Sequence, residues 1–214
     1  MKRWDIINSY IHKNGYETYL EVGLQSGICR DHIMIDPSKK TTVDPDSRSN
    51  NPTHQMTSDE FFKQNKATFD VVFIDGLHHG EQVLKDINNS LSILNKGGMI
   101  FCHDMLPIEE SQALVPRPMP PTIWNGDCWK AFFKLMGTRA DLEMSIVERD
   151  WGVGVIKKGT QKVVKEFDIP LNEMSWQFYM EHKRKNTMNK MDGAEFKQHN
   201  PTFFNDPKLF QKGI

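Results

Sequence analysis

VVFIDGLHHG, residues 71–80, decides how the chain is read. Val71 to Ile74 form an unbroken apolar run, as expected of a strand buried on both faces of a sheet. The run ends in Asp75 and Gly76, and His78 and His79 follow at once. A buried strand that delivers an acid and imidazoles to its end looks like the wall of an active site. Another apolar run, Met99 to Cys102, ends in a similar way, at His103-Asp104. Between the two, Val83, Leu84, Ile87, Leu91 and Leu94 fall on one helical face, and Asn95-Lys96-Gly97-Gly98 is expected to end that helix.

The same alternation extends outward. Trp4, Ile6, Ile7, Tyr10 and Ile11 predict an amphipathic helix over 3–13, ended by Asn14-Gly15. Tyr19 to Val22 predict a strand, followed by the turn Gly23-Leu-Gln-Ser-Gly27 and a helix over 28–35 that Pro37 stops. Thr41 to Val43 predict a second strand, ending at Asp44-Pro45-Asp46. After a polar loop, Ser58 or Asp59 is expected to cap a helix through Asn65. Residues 105–125 hold five of the 11 prolines, the composition of a long irregular loop or lid. Asp127 opens another helix, with Trp129, Phe132, Phe133 and Leu135 available for burial. Leu142–Val147 and Gly152–Ile156 predict an antiparallel pair joined by a tight turn at 148–151. A domain over 1–160 is expected, then an extension over 161–214 of helical or irregular chain, packed on the domain or on a partner copy. Strand–helix alternation argues for a mostly parallel sheet covered on both faces, and such sheets bind ligands beyond the carboxyl ends of their strands.

Composition removes several classes. The 214 residues carry 27 basic and 28 acidic side chains, so nothing marks a nucleic-acid footprint or an attraction to anionic membrane. Mean hydropathy is −0.58, and no apolar run approaches the roughly 20 residues that span a bilayer. MKRWDIINSYIHKNG lacks the uninterrupted apolar core of a signal peptide. Cys29, Cys102 and Cys128 are odd in number and lack CxxC spacing, which predicts free thiols and a cytoplasmic protein.

At the strand ends, Gly23 and Gly27 bracket a strand-to-helix turn, with Ser26 as its capping candidate and Glu21 beside it. The dinucleotide fingerprint GxGxxG is missing, since Gln25 stands at its second glycine. An acid next to the turn suits a cationic ligand better than a phosphate. Asp44 is placed to accept hydrogen bonds from ribose hydroxyls, or to act only as a turn residue before Pro45. Asp75 and Asp104 end strands expected to be neighbours, and their hard oxygens suit magnesium or calcium. His103 as a third ligand would also suit manganese, iron or zinc. His78 is a candidate general base, with His79 its competitor.

With these residues in hand, the chain resembles the class I S-adenosylmethionine-dependent methyltransferases over residues 17–157. ExGxxSG at 21–27 resembles the motif that surrounds the methionine part of the cofactor, VDPD at 43–46 the ribose segment, and TSDEFF at 57–62 the segment bordering the adenine. The stretch from Phe69 to Met105, with NGDCWKAF at 125–132, resembles the small sugar O-methyltransferases of antibiotic and surface-glycan pathways. The resemblance implies a Rossmann-like α/β fold: a mostly parallel seven-stranded sheet with helices on both faces and an antiparallel last strand. It implies S-adenosylmethionine bound by Glu21, Gly23, Ser26, Gly27, Asp44, Ser58 and Asp75, and a magnesium or other divalent ion held by Asp75, His103 and Asp104. In that pattern a carboxylate pair stands where this chain has His103-Asp104, so its first member departs. The implied reaction is methylation of a hydroxyl on a sugar, glycan precursor or other small metabolite, with Asp75 and His78 as the catalytic pair. A dinucleotide-dependent oxidoreductase, a metal-dependent hydrolase and a non-catalytic relative are the competing readings.

Overall fold

Along the central strands, alternate side chains enter two different cores. Tyr19, Val71, Phe73, Met99 and Phe101 lie on one side with Ile6, Ile7 and Ile11 of the N-terminal helix. Leu20, Val22, Val72, Ile74, Ile100 and Cys102 lie on the other with Trp129, Phe132 and Phe133. A strand has period two, so these runs can be apolar throughout only because both faces are covered.

The computed structural model describes residues 1–119 and 123–210. Residues 120–122 of the expected lid and 211–214 of the extension lie outside the described residues. The elements are α1 (Arg3–Asn14), β1 (Tyr19–Val22), α2 (Ile28–His32), β2 (Lys40–Val43), α3 (Ser58–Gln64), β3 (Phe69–Ile74), α4 (Gly80–Ser92) and β4 (Leu94–Cys102). Then come α5 (Cys128–Thr138), β5 (Leu142–Glu148), β6 (Val153–Lys158), α6 (Trp176–Lys185), β7 (Lys190–Asp192), α7 (Gly193–His199) and α8 (Pro201–Phe204). The seven strands form one sheet in the order β2-β1-β3-β4-β6-β5-β7. All pairings are parallel except those of β6, which runs antiparallel to both β4 and β5. Rossmann-like architecture is therefore present, with its antiparallel strand inside the sheet.

The register aligns the ends that matter. Val22 pairs with Val43 and with Ile74, and Ile74 pairs with Cys102. Gly23, Asp44, Asp75 and His103 each follow directly, so the four strands stop flush along one edge. The chain leaves β1 for β2 on one side and returns to β3 on the other, which makes the β1/β3 ends the switch point of the sheet.

Local boundaries differ from the sequence reading for identifiable reasons. Helix α2 stops at His32, and Lys40 Nζ donates to the carbonyls of Arg30 and Ile33 at 2.7 Å each. The α3 cap is Thr57, not Ser58 or Asp59: Thr57 and Glu60 form a reciprocal capping box. Asn95 to Gly98 do not end α4 but belong to β4, as a bulge between the Phe69–Leu94 and Val71–Met99 pairs. The extension contributes β7 to the sheet edge and covers both faces. Tyr179 of α6 packs on Trp129 with ring centroids 4.9 Å apart, and Phe196, Phe203 and Phe204 join the core of α1. Cys29, Cys102 and Cys128 are buried free thiols. Among the described residues no helix is long and apolar enough to cross a membrane.

Candidate active site

Gly23 brings β1 and β3 together at the site. It has φ +88°, and a Cβ there would lie 2.1 Å from the Asp75 carbonyl oxygen. The turn therefore hugs the backbone at Asp75-Gly76, which only glycine allows. Gly27 is the N-cap of α2, in the left-handed region at φ +76°, so Ser26 is not the cap. Ser26 is exposed, and its carbonyl accepts from Asn50 Nδ2 at 3.1 Å.

Asp44 holds this turn in shape. Its Oδ2 accepts from the Leu24 and Gln25 amides at 2.8 and 2.9 Å, and its Oδ1 from the Asp46 amide at 2.9 Å. A carboxylate has about four lone-pair sites, so one is left over. Glu21 is 1% exposed and accepts from the Tyr19 hydroxyl at 2.5 Å. It makes no ion pair among the described residues. Burial pushes its carboxyl up to about 8, against the opposing Tyr19 hydrogen bond and the more distant Arg30 and Arg3.

Beside it, the ends of β3 and β4 hold a charged cluster. His78 Nε2 lies 3.4 Å from Asp75 Oδ1 and 3.3 Å from Asp104 Oδ2. His103 Nδ1 lies 3.3 and 3.1 Å from the same two oxygens. The remaining oxygens are held from outside: Arg3 Nη1 is 2.5 Å from Asp75 Oδ2, and Asn125 Nδ2 donates to Asp104 Oδ1 at 2.5 Å. Both carboxylates are thereby turned to present one oxygen to a common point. His78 Nδ1 faces the Trp124 carbonyl at 3.1 Å, and the two rings stack with centroids 5.1 Å apart.

The charges sort themselves by neighbour. Burial alone would raise the Asp75 carboxyl, but His103, His78 and Arg3 outweigh it and hold it well below the usual range. Burial would lower both imidazoles, but the two acids win. They raise His78 and carry His103 to about 10, an imidazolium at neutral pH.

Glu21, Gly23, Gly27, Asp44, Asp75, His78, His103 and Asp104 thus share one edge of the sheet. His79 is the N-cap residue of α4 and has no place in the charged cluster. Ser58 Oγ accepts from Gln82 Nε2 of α4 at 3.2 Å, and no contact among the described residues joins it to the cluster. Sequence reasoning missed Arg3, Asn125 and Asp150. Asn125 opens the quoted NGDCWKAF stretch, but Arg3 reads as an ordinary first-turn helix residue and Asp150 as an ordinary turn residue.

Residues 14–105 match the family model described as a methyltransferase domain. Over that stretch the chain is similar to a methyltransferase domain. No curated protein sequence matches the chain. Among solved structures, an O-methyltransferase from Bacillus cereus in complex with SAH superposes with TM-score 0.53 at 11% identity, covering 72% of this chain and 80% of that one. TomG, an O-methyltransferase from Streptomyces achromogenes involved in tomaymycin synthesis and solved with SAM, gives 0.52 at 12% identity, covering 73% and 79%. At such identities the likeness is one of fold. The matched stretch spans the glycine turn, Asp44, the Asp75–His78 loop and the His103-Asp104 pair.

Proposed function

We propose that the protein is an S-adenosylmethionine-dependent O-methyltransferase, with the β1–β2 end as its cofactor side and the β3–β4 end as its catalytic side. The observation that carries the reading is the aim of His78. Its Nδ1–H can donate to the Trp124 carbonyl, and its Nε2 faces Asp75 and Asp104, acids that favour the proton this nitrogen would take up. The chemistry of the cofactor side also supports it. Glu21 is a buried acid without a cationic partner among the described residues, a fitting neighbour for a cationic amino acid group. Asp44 keeps one lone pair for a ribose hydroxyl, while Gly23, Ser26 and Gly27 line the turn and Ser58 borders the adenine side.

When bound there, S-adenosylmethionine supplies an electrophilic methyl group on a sulfonium. The chain's part is proton handling and orientation. His78 Nε2 takes the acceptor's hydroxyl proton as the new O–C bond forms and the S–C bond breaks. Asp75 and Asp104 stabilise the imidazolium that results. A divalent ion suits the same point: Asp75 Oδ1 and Asp104 Oδ2 converge there, with His78 and His103 nitrogens at hand. Mixed imidazole and carboxylate donors favour manganese, iron or zinc over magnesium. Asp75, His78 and Asp104, whose donor atoms lie within 4.8 Å of one another, would hold it in place of the expected set with His103, and the ion would act as a Lewis acid on the hydroxyl with His78 as ligand rather than free base. His78 would have to give up its proton, so such binding should weaken as pH falls. The acceptor we favour is a sugar hydroxyl, with phenolic metabolites as the alternative arm of a substrate screen.

The test is His78→Gln. Turnover should fall about 10²–10⁴-fold while calorimetric affinity for the cofactor stays within twofold. Failure of the unaltered protein to bind S-adenosylmethionine or its demethylated product at millimolar ligand would overturn the reading.

A further inference from the structure

The first turn of α1 reaches the catalytic edge through one side chain. Arg3 Nη1 lies 2.5 Å from Asp75 Oδ2, and its Nε lies 3.0 Å from Asp150 Oδ2. The Arg3 backbone amide donates to that same Asp150 oxygen at 3.0 Å. Asp150 sits in the β5–β6 turn with φ +50°, and its side chain is only 3% exposed. Its Oδ1 faces Lys2 Nζ at 3.2 Å, and its Oδ2 is 3.8 Å from His103 Nε2. Three distant segments therefore meet in one chain of charge: turn carboxylate, helix guanidinium, site carboxylate.

A lone buried turn aspartate would be costly, and so would a guanidinium buried against one acid. Together they satisfy each other, with both Arg3 ends in use. The outcome at the site is directional. Arg3 occupies Asp75 Oδ2, so Asp75 Oδ1 is the oxygen that faces His78 and His103. Guanidinium hydrogen bonds are directional in a way an ammonium's are not.

We propose that Arg3 and Asp150 are positioning residues for Asp75, acting as one unit. The catalytic readout rests on the methyltransferase reading, but the placement of Asp75 does not. Outer partners of this kind typically change activity by about 10–100-fold when removed.

The experiment compares Arg3→Gln, Arg3→Lys, Asp150→Asn and the double variant R3Q/D150N. Asparagine tolerates a left-handed backbone, so Asp150→Asn keeps the turn. Each single removal should lower kcat about 10–100-fold with the KM for S-adenosylmethionine within twofold. The double variant should be no worse than the more impaired single, and Arg3→Lys should recover part of the loss. The second readout is the set of ring ¹⁵N shifts of His78 and His103, which respond to where Asp75 Oδ1 points. Shifts unchanged in R3Q and D150N overturn the proposal, whatever the turnover. Unchanged kcat in folded variants also overturns it, as does a double variant whose losses multiply. If the unaltered protein shows no methyl transfer, the functional reading falls, and the histidine shifts still decide the positioning. Should Arg3→Gln fail to fold, the Arg3→Lys and Asp150→Asn spectra decide in its place.

Discussion

Two acids on adjacent strands of this sheet, Glu21 buried and Asp75 half-buried, are driven in opposite directions. Glu21 on β1 is pushed up to about 8, because burial finds only a tyrosine hydroxyl and distant arginines to oppose it. Asp75 at the end of β3 is held low, because two imidazoles and a guanidinium surround it. Pairs of titratable groups pushed apart by their surroundings mark divided chemical roles. On the proposed reading, the neutral acid waits for a cation that must arrive, and the ionised one already has its partners. Gly23 joins the two, since its close approach to the Asp75 carbonyl fixes how far apart they stand.

The largest effect is expected from breaking the ionised side. Asp75→Asn leaves the half-buried Arg3 and the buried His103 with one acid fewer between them. Breaking a buried ion pair from one side costs about 3–5 kcal/mol, so chemical denaturation should show a loss of that order, along with turnover. The same change removes a negative neighbour of Glu21, so Glu21 should titrate lower in the variant. A stability within about 0.5 kcal/mol of the unaltered protein would mean that the cluster does not act as a charged unit.

How much of this was legible depends on the range of the interaction. Val71 to Ile74 and Met99 to Cys102 declared buried neighbouring strands through composition alone, and the strands do pair. Their terminal acids and histidines followed from that register. Asp44 was legible as an acid at a strand end, but its hold on the Leu24 and Gln25 amides was not, since hydrogen bonds across a turn leave no trace in spacing. Lys40 ending α2 and the Asn95–Gly98 bulge were hidden for a related reason: a partner from another segment overrode the local stop signals. Arg3 and Asp150 are 147 positions apart, and no local pattern joins them.

The neutral side should be sharpened by Glu21→Gln. Below about pH 4.5 the folded and unfolded chains both carry the Glu21 proton. Between there and about 8 the unfolded chain has lost it and the fold retains it, so stability falls as pH rises. The full shift is worth at most about 5 kcal/mol. The glutamine variant should therefore match the unaltered protein near pH 4.5 and exceed it at pH 8.5, in thermal melts at both values, while losing affinity for a cationic ligand. An equal gain at both pH values would place the effect in packing rather than in charge.

The smallest signal tests the comparison most directly. If a cationic amino acid group seats beside Glu21, its charge must bring the carboxyl down and drive the proton out. A group titrating near 8 is mostly protonated at pH 7, so binding S-adenosylmethionine there should release close to one proton, on the order of the full occupancy. Titration calorimetry at pH 7 in buffers of different ionisation heat reads that number as a slope. The Glu21→Gln variant, at ligand concentrations high enough to bind, should give a slope near zero. Asp75 is already ionised and already paired, so substitutions confined to Arg3 or Asp150 should leave the slope almost unchanged. A proton released through the β3–β4 cluster instead would show the opposite dependence, and the division of labour between the two acids would be gone.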